Sequence, residues 1–172
     1  FATLGGQPAS RVARLESGTW VPLGWGLGGL TDQGSSYQAQ VTSLAVFDSG
    51  EGPELVAAGL FNRAGDLTQP VASIARWNGI LWAPLGPGPA TFFTRLPERS
   101  GVQALPVHDE GSGPALYATG SFTGATRERH TSIARWNGAT WTPVGDGIGA
   151  PSNGGMSLLS AGDELFVGGG LS

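Results

Sequence analysis

The sequence predicts an all-β fold assembled from about three repeats of roughly 60 residues, on three observations. The first is repetition: Ala72-Ser-Ile-Ala-Arg-Trp-Asn-Gly-Ile-Leu-Trp-Ala-Pro-Leu-Gly86 and Thr131-Ser-Ile-Ala-Arg-Trp-Asn-Gly-Ala-Thr-Trp-Thr-Pro-Val-Gly145 are near-copies. A worn third copy runs Ser10-Arg-Val-Ala-Arg-Leu-Glu-Ser-Gly-Thr-Trp-Val-Pro-Leu-Gly24. The second is register: Arg14, Arg76 and Arg135 stand 62 and 59 residues apart, as do Trp20, Trp82 and Trp141. Phe1, Phe61 and Phe122 stand 60 and 61 apart, and Asp48 and Asp109 stand 61 apart. The third is an absence: no long stretch carries a 3.6-residue period, and Gly and Pro interrupt the chain too often for helices.

Each unit holds four short runs that read as strands. In the second unit they are residues 55–59, 73–78, 81–85 and 102–107. They are rich in Val, Ile, Leu, Trp and Thr and are bounded by Gly, Pro, Asn or Asp, the residues that end strands. Asn78-Gly79 and Asn137-Gly138 separate the second run from the third; Asn and Gly both tolerate positive φ, so a tight type I′ hairpin is expected there. Leu165-Phe-Val-Gly-Gly169 matches Leu55-Val-Ala-Ala-Gly59 and Leu116-Tyr-Ala-Thr-Gly120, a further partial copy. Four antiparallel strands per unit, repeated radially, is the design of a β-propeller blade. The expected organisation is one array over 1–172, with blades of strands 10–47 completed by 165–169, then 55–107, then 116–160. The chain starts within a unit and stops just past a Gly-rich strand. Three blades are too few to close a ring of typically 4–8. The array is therefore expected to be part of a larger propeller, or one half of a six-bladed ring of two copies.

The residues resemble the kelch-type propeller repeat, in which an apolar strand ending in Gly-Gly precedes an aromatic-bearing strand, a turn and Trp-x-x-Pro or Trp-x-x-Leu. Leu165-Phe-Val-Gly-Gly169 and Trp141-Thr-Pro-Val144 look like those elements. The pattern Gly-x-Phe…Ile-Ala-Arg-Trp-Asn-Gly-x-x-Trp-x-Pro-Leu-Gly is also similar to repeats of large secreted bacterial proteins and of a fungal cortical polarity marker. The resemblance covers the whole chain and implies an extracellular or cell-surface setting. It implies little about a ligand, because propellers host many unrelated functions.

Composition narrows the classes. The chain has 172 residues, 40% of them apolar and only 13% charged, about half the usual charged share; sheets covered on both faces account for this. All nine basic residues are Arg, net charge is −4, and no basic cluster exists beyond Arg127-Glu-Arg-His130. That pattern argues against nucleic acid, whose binding rests on clustered positive charge. No apolar run approaches a membrane span and no segment reads as a signal peptide. With no Cys, disulfides, thiolate catalysis and Cys-based metal sites are excluded.

A binding site is expected on the face that carries the long, divergent loops: 24–40, 61–71, 86–100 and 122–131. Long loops on a rigid scaffold are where binding concentrates. Trp25, Tyr37, Phe92, Phe93, Arg63, Asp66, Arg127, Arg129 and His130 lie there. Trp25, Phe92 and Phe93 stand outside the repeat register, and exposed aromatics beside Gly and Pro suit sugar stacking or a protein hot spot. The repeated Arg14, Arg76 and Arg135 are expected to make structural bonds between blades, and Trp20, Trp77, Trp82, Trp136 and Trp141 to form blade core. The turns Asp48-Ser-Gly-Glu-Gly52 and Asp109-Glu-Gly-Ser-Gly113 supply too few oxygens at a fixed offset for Ca²⁺; Asp bonding its own backbone is the better reading. Gly24-Trp-Gly-Leu-Gly-Gly29 has the G-x-G-x-x-G spacing, but no helix follows, so it is a turn. His108 and His130 are too far apart in sequence to suggest a metal set. No catalytic residue, metal or cofactor is therefore assigned. The expected function is a non-catalytic module for protein or glycan binding, or a scaffold. A lectin-like propeller is the alternative; a glycan hydrolase using Asp32, Asp66, Glu98 or Asp146 is less favoured.

Overall fold

A computed structural model of the chain describes residues 3–4, 6–30, 34–65, 68–86, 101–120, 132–148 and 151–171, without the side chains of 7, 8, 151–155, 170 and 171. The described residues form only strands and turns. In chain order these are β1 (Thr3–Leu4), β2 (Gln7–Pro8), β3 (Ala13–Glu16), β4 (Thr19–Pro22), β5 (Leu27–Gly28), β6 (Gln40–Asp48) and β7 (Pro53–Leu60). Then come β8 (Arg63–Ala64), β9 (Gln69–Pro70), β10 (Ile74–Trp77), β11 (Trp82–Pro84), β12 (Val102–Ala104) and β13 (Val107–Asp109). The last are β14 (Pro114–Gly120), β15 (Ile133–Trp136), β16 (Trp141–Pro143), β17 (Pro151–Ala161) and β18 (Glu164–Leu171).

Two sheets share one design. The first runs β6-β7-β10-β11, and the second runs β12-β14-β15-β16, with β13 also on β14; every pairing is antiparallel. The run at 102–107 thus pairs with the next Gly-rich strand, β14, and not with the preceding run at 81–85. Connection length decides this. Seventeen residues, 85–101, separate β11 from β12, whereas four join β6 to β7. Asp48 Oδ1 accepts from the N–H of Gly50 (2.7 Å) and of Gly52 (3.0 Å), and Asp109 Oδ1 repeats this with Gly111 (2.7 Å) and Gly113 (2.9 Å). The carboxylate closes the loop as an Asx-turn and commits the strand before it to the strand after it.

The second strand of each unit turns into the third through Asn-Gly, but not by a type I′ turn. Positive φ falls on Gly79 (97°) and Gly138 (98°) and not on Asn78 or Asn137, the pattern of a type II′ turn with Gly first. The Asn side chain accepts from the turn instead: Asn78 Oδ1 from Ile80 N (3.0 Å) and Leu81 N (2.9 Å). Asn137 does the same with Ala139 and Thr140. Type I′ geometry occurs in the worn copy, where Ser17 and Gly18 both have positive φ (47° and 82°). Pro106 stands where the first sheet has Ala45; lacking an N–H it removes one ladder bond, and β12 and β13 are two strands where β6 is one.

The central strands are buried on both faces, which explains their near-continuous apolar runs. Val56, Ala58 and Ile74 join Val102, Leu105, Leu116, Ala118 and Trp136 in one core between the two sheets. The intervening Ala57 and Ala75 face the other way, with Trp82, Val12, Leu23 and Phe61. The two outer hairpins, β3–β4 and β17–β18, are two-stranded. The first packs on one side of the first sheet through Val12 and Leu23; the other meets the second sheet through Met156, whose sulfur accepts from Thr119 Oγ1 (3.3 Å) and whose N–H bonds Gln103 Oε1.

Gly59, one residue before the end of β7, is glycine because a side chain has no room there. A Cβ would lie 2.1 Å from the Gln40 carbonyl oxygen, and at Gly120 a Cβ would lie 2.1 Å from that of Gly101. Both spots face the irregular register at Val41/Ser43 and Val102/Ala104. Gly59→Ala is expected to destabilise the fold by about 2 kcal/mol through this overpacking. Denaturant unfolding monitored by tryptophan fluorescence reads it, with an unchanged midpoint as the contrary result.

Candidate functional site

Two of the long segments singled out in the sequence meet. Leu27 and Gly28 in β5 pair with Ala64 and Arg63 in β8, and β9 extends this into a small three-stranded sheet. Asn62 locks it: its Oδ1 accepts from Leu30 N (2.9 Å), its Nδ2 donates to Leu30 O (2.7 Å) and its backbone N donates to Gly28 O (3.0 Å). The described parts of these segments, residues 24–30 and 61–65 with 68–71, are therefore joined to one another by strand pairing and by Asn62.

A cleft of about 320 Å³ opens beside this small sheet, lined by Ser10, Arg11, Trp25, Ser36, Tyr37 and neighbouring glycines. Trp25 is 72% exposed. Tyr37 lies across the backbone of Gly29, where a Cβ would come within 2.3 Å of the ring, and its N–H bonds Gly29 O (3.1 Å). Arg11 is the residue sequence reasoning missed. It takes the left-handed position (φ 77°) that Ser73 (62°) and Ser132 (46°) hold in the other units. Its side chain spans the cleft floor, with Nε donating to Ala39 O and Nη1 to Leu27 O, both at 2.8 Å. The departure from Ser to Arg at a repeated position was the available signal. Apolar ring faces beside a fixed guanidinium and hydroxyls suit a hydroxyl-rich or peptide-like ligand. No acidic side chain is among the described lining residues.

Trp25 and Tyr37 are thus brought together, as members of one cleft. Arg63 lies in β8 and donates to Asn62 O (3.0 Å). Asp146 is exposed on the other unit. Phe92, Phe93, Arg127, Arg129, His130, Asp32, Asp66 and Glu98 lie outside the described residues. His108 is buried, bonds Ser160 Oγ through Nδ1 (2.9 Å) and meets the Tyr117 ring edge-on, a packing role.

The repeated arginines bond within their own sheet, not between sheets. Arg76 reaches Glu54 on the adjacent β7 (3.0 Å), Arg135 Nε donates to Tyr117 Oη on β14 (3.0 Å), and Arg14 pairs with Glu16 on its own strand (2.7 Å). Directly opposed cross-strand positions place them there: Arg76 faces Val56 and Arg135 faces Tyr117. Trp82 and Trp136 are core, with Trp77 and Trp141 partly buried beside them, but Trp20 is 51% exposed. A second, smaller cleft of about 210 Å³ sits between the two sheets at Arg76, Gly86 and Trp136. There Arg76 Nε and Trp136 Nε1 have no acceptor among the described residues, and water would satisfy them.

No family model, curated protein or solved structure matches the chain.

Burial pushes the Tyr117 hydroxyl up to about 12, with the Glu110 carboxylate reinforcing and Arg135 opposing the shift. A raised folded-state value favours the protonated form, so its contribution is full below the unfolded value near 10 and is lost as pH rises through 12. In a 295 nm titration of the folded protein, Tyr117 is expected to ionise near pH 12 or only on unfolding. Titration of both tyrosines near 10, with the fold intact, contradicts the buried assignment.

Proposed function

We propose that the chain is a kelch-like β-propeller module, extracellular or at a cell surface, that is non-catalytic and binds protein or glycan or serves as a scaffold subunit. The observation that carries the reading is the pair of sheets with one strand order at one spacing, beside a cleft where two connections meet. Radial repetition of four-stranded sheets fits a propeller. Its remaining sheets come from a larger array or from a second copy. The all-Arg usage favours a bacterial origin, and the kelch-like resemblance alone favours secretion.

Within this reading the exposed Trp25 favours a carbohydrate ligand. An indole next to Tyr37, with Arg11, Ser10 and Ser36 below, offers stacking for a sugar face and polar groups for its hydroxyls. Saccharide titrations followed by tryptophan fluorescence test it. A saturable change is expected, and Trp25→Ala is expected to weaken it at least about tenfold while leaving the melting temperature unchanged. A change that survives Trp25→Ala, or none across a broad saccharide set, contradicts the glycan reading.

A further inference from the structure

The cleft beside the small sheet carries a fixed positive charge. Arg11 lies half-buried in it, and its Nε and Nη1 donate to the carbonyls of Ala39 and Leu27, both at 2.8 Å. These bonds use two of the five guanidinium N–H groups. Among the described residues the others, both on Nη2 included, have no acceptor. The carbonyls orient the guanidinium, but as neutral groups they leave its charge uncompensated. Arg14 and Arg76, by contrast, each have a carboxylate partner, Glu16 at 2.7 Å and Glu54 at 3.0 Å.

That charge is a departure of one unit from the repeat. Ser73 and Ser132 hold the corresponding left-handed position in the other two units, so serine is sufficient for the backbone there and the fold itself requires no cation. A guanidinium in a cleft, on a chain of net charge −4, is the local feature that distinguishes an anion from a neutral ligand. Being partly buried, it is screened less by salt than a surface charge.

The surroundings define what kind of anion fits. Trp25 is 72% exposed beside it, the Tyr37 ring lies on Gly29, and Ser10 and Ser36 add hydroxyls. The volume of about 320 Å³ sits at the small end of the range for small-ligand sites, about 300–1,000 Å³.

We propose that the cleft holds an acidic saccharide, a sugar ring bearing a carboxylate such as a hexuronate, with the carboxylate on Arg11 and a ring face on Trp25. This rests on the glycan reading above and names the ligand class within it. Nη2 donates to the carboxylate in a charge-assisted bond, stronger than its neutral equivalent. The Trp25 indole covers the apolar face of the ring, and the serine hydroxyls meet the sugar hydroxyls. A neutral sugar keeps the stacking contact but leaves the guanidinium without a counter-charge, so the discrimination lies in the carboxylate.

Titration of the full chain with an oligogalacturonate and with its methyl ester, followed by tryptophan fluorescence, tests this. Esterification removes the charge and keeps the ring. The acid is expected to bind at least about tenfold tighter than the ester, by a margin that narrows as ionic strength rises. Arg11→Ser, which places at this position the residue of the other units, is expected to weaken the acid at least about tenfold more than the ester. Should that variant fail to fold, the margin in the native chain and its salt dependence still decide. An ester bound as tightly as the acid overturns the proposal, and so does a margin that Arg11→Ser or added salt leaves intact. Neutralisation of Arg11 by Asp32 or Asp66, which lie outside the described residues, would give the first of these results. If the ester then binds in a Trp25-dependent way, the glycan reading stands and the acidic class alone falls; if neither saccharide binds, both fall.

Discussion

The two four-stranded sheets depend on the Asp-closed loop that joins the long strand of each to the Gly-rich strand after it. A strand must satisfy backbone groups along both edges, and the partner it takes is the one a short connection delivers. Asp48 and Asp109 each hold two amides of a four-residue loop. The four-residue connection keeps the long strand beside the strand after it, whereas seventeen residues separate β11 from β12. The sheet that results straddles the sequence repeat: it takes its first strand from one unit and the other three from the next.

Two consequences follow from this offset. The Gly-rich strand becomes interior, with neighbours on both edges and packing on both faces, which is why Val56, Ala57, Ala58, Leu116, Tyr117 and Ala118 are all buried. The bulge opposite its last residue brings the Gln40 and Gly101 carbonyls so close that only glycine fits at 59 and 120. The hairpins β3–β4 and β17–β18 are two-stranded, and their Leu15, Trp20, Phe166 and Val167 are exposed. The cleft at Trp25 lies where two connections of the first sheet meet, held together by Asn62.

The all-β class and the positions of the main strands were legible because a period of about 60 residues repeats every strand and turn signal in register. The Asp turns were legible too, since an Asx-turn is a local bond between adjacent residues. What depends on space was not. The type II′ form of the Asn-Gly hairpins turns on which residue carries positive φ, and Asn and Gly both tolerate it. The grouping of strands into sheets was written in the connection lengths but contradicts the natural boundary of the repeat. The arginines looked like links between units, yet cross-strand pairing gives them partners one strand away. The pairs β5–β8 and β8–β9 are two residues long, too short for an alternating pattern. Trp25 stood out as an aromatic off the repeat and Tyr37 as a residue of a long loop, whereas Arg11 was hidden inside a copy that had drifted.

The most direct test of the account is a set of cross-strand backbone NOEs on the isotopically labelled protein. Pairing across the repeat boundary predicts contacts from Val107 to Leu116 and from His108 to Ala115, matching those from Val46 to Leu55 and Phe47 to Glu54. Contacts linking residues 102–104 to 82–84 in their place would show that each repeat folds as its own sheet and would contradict it.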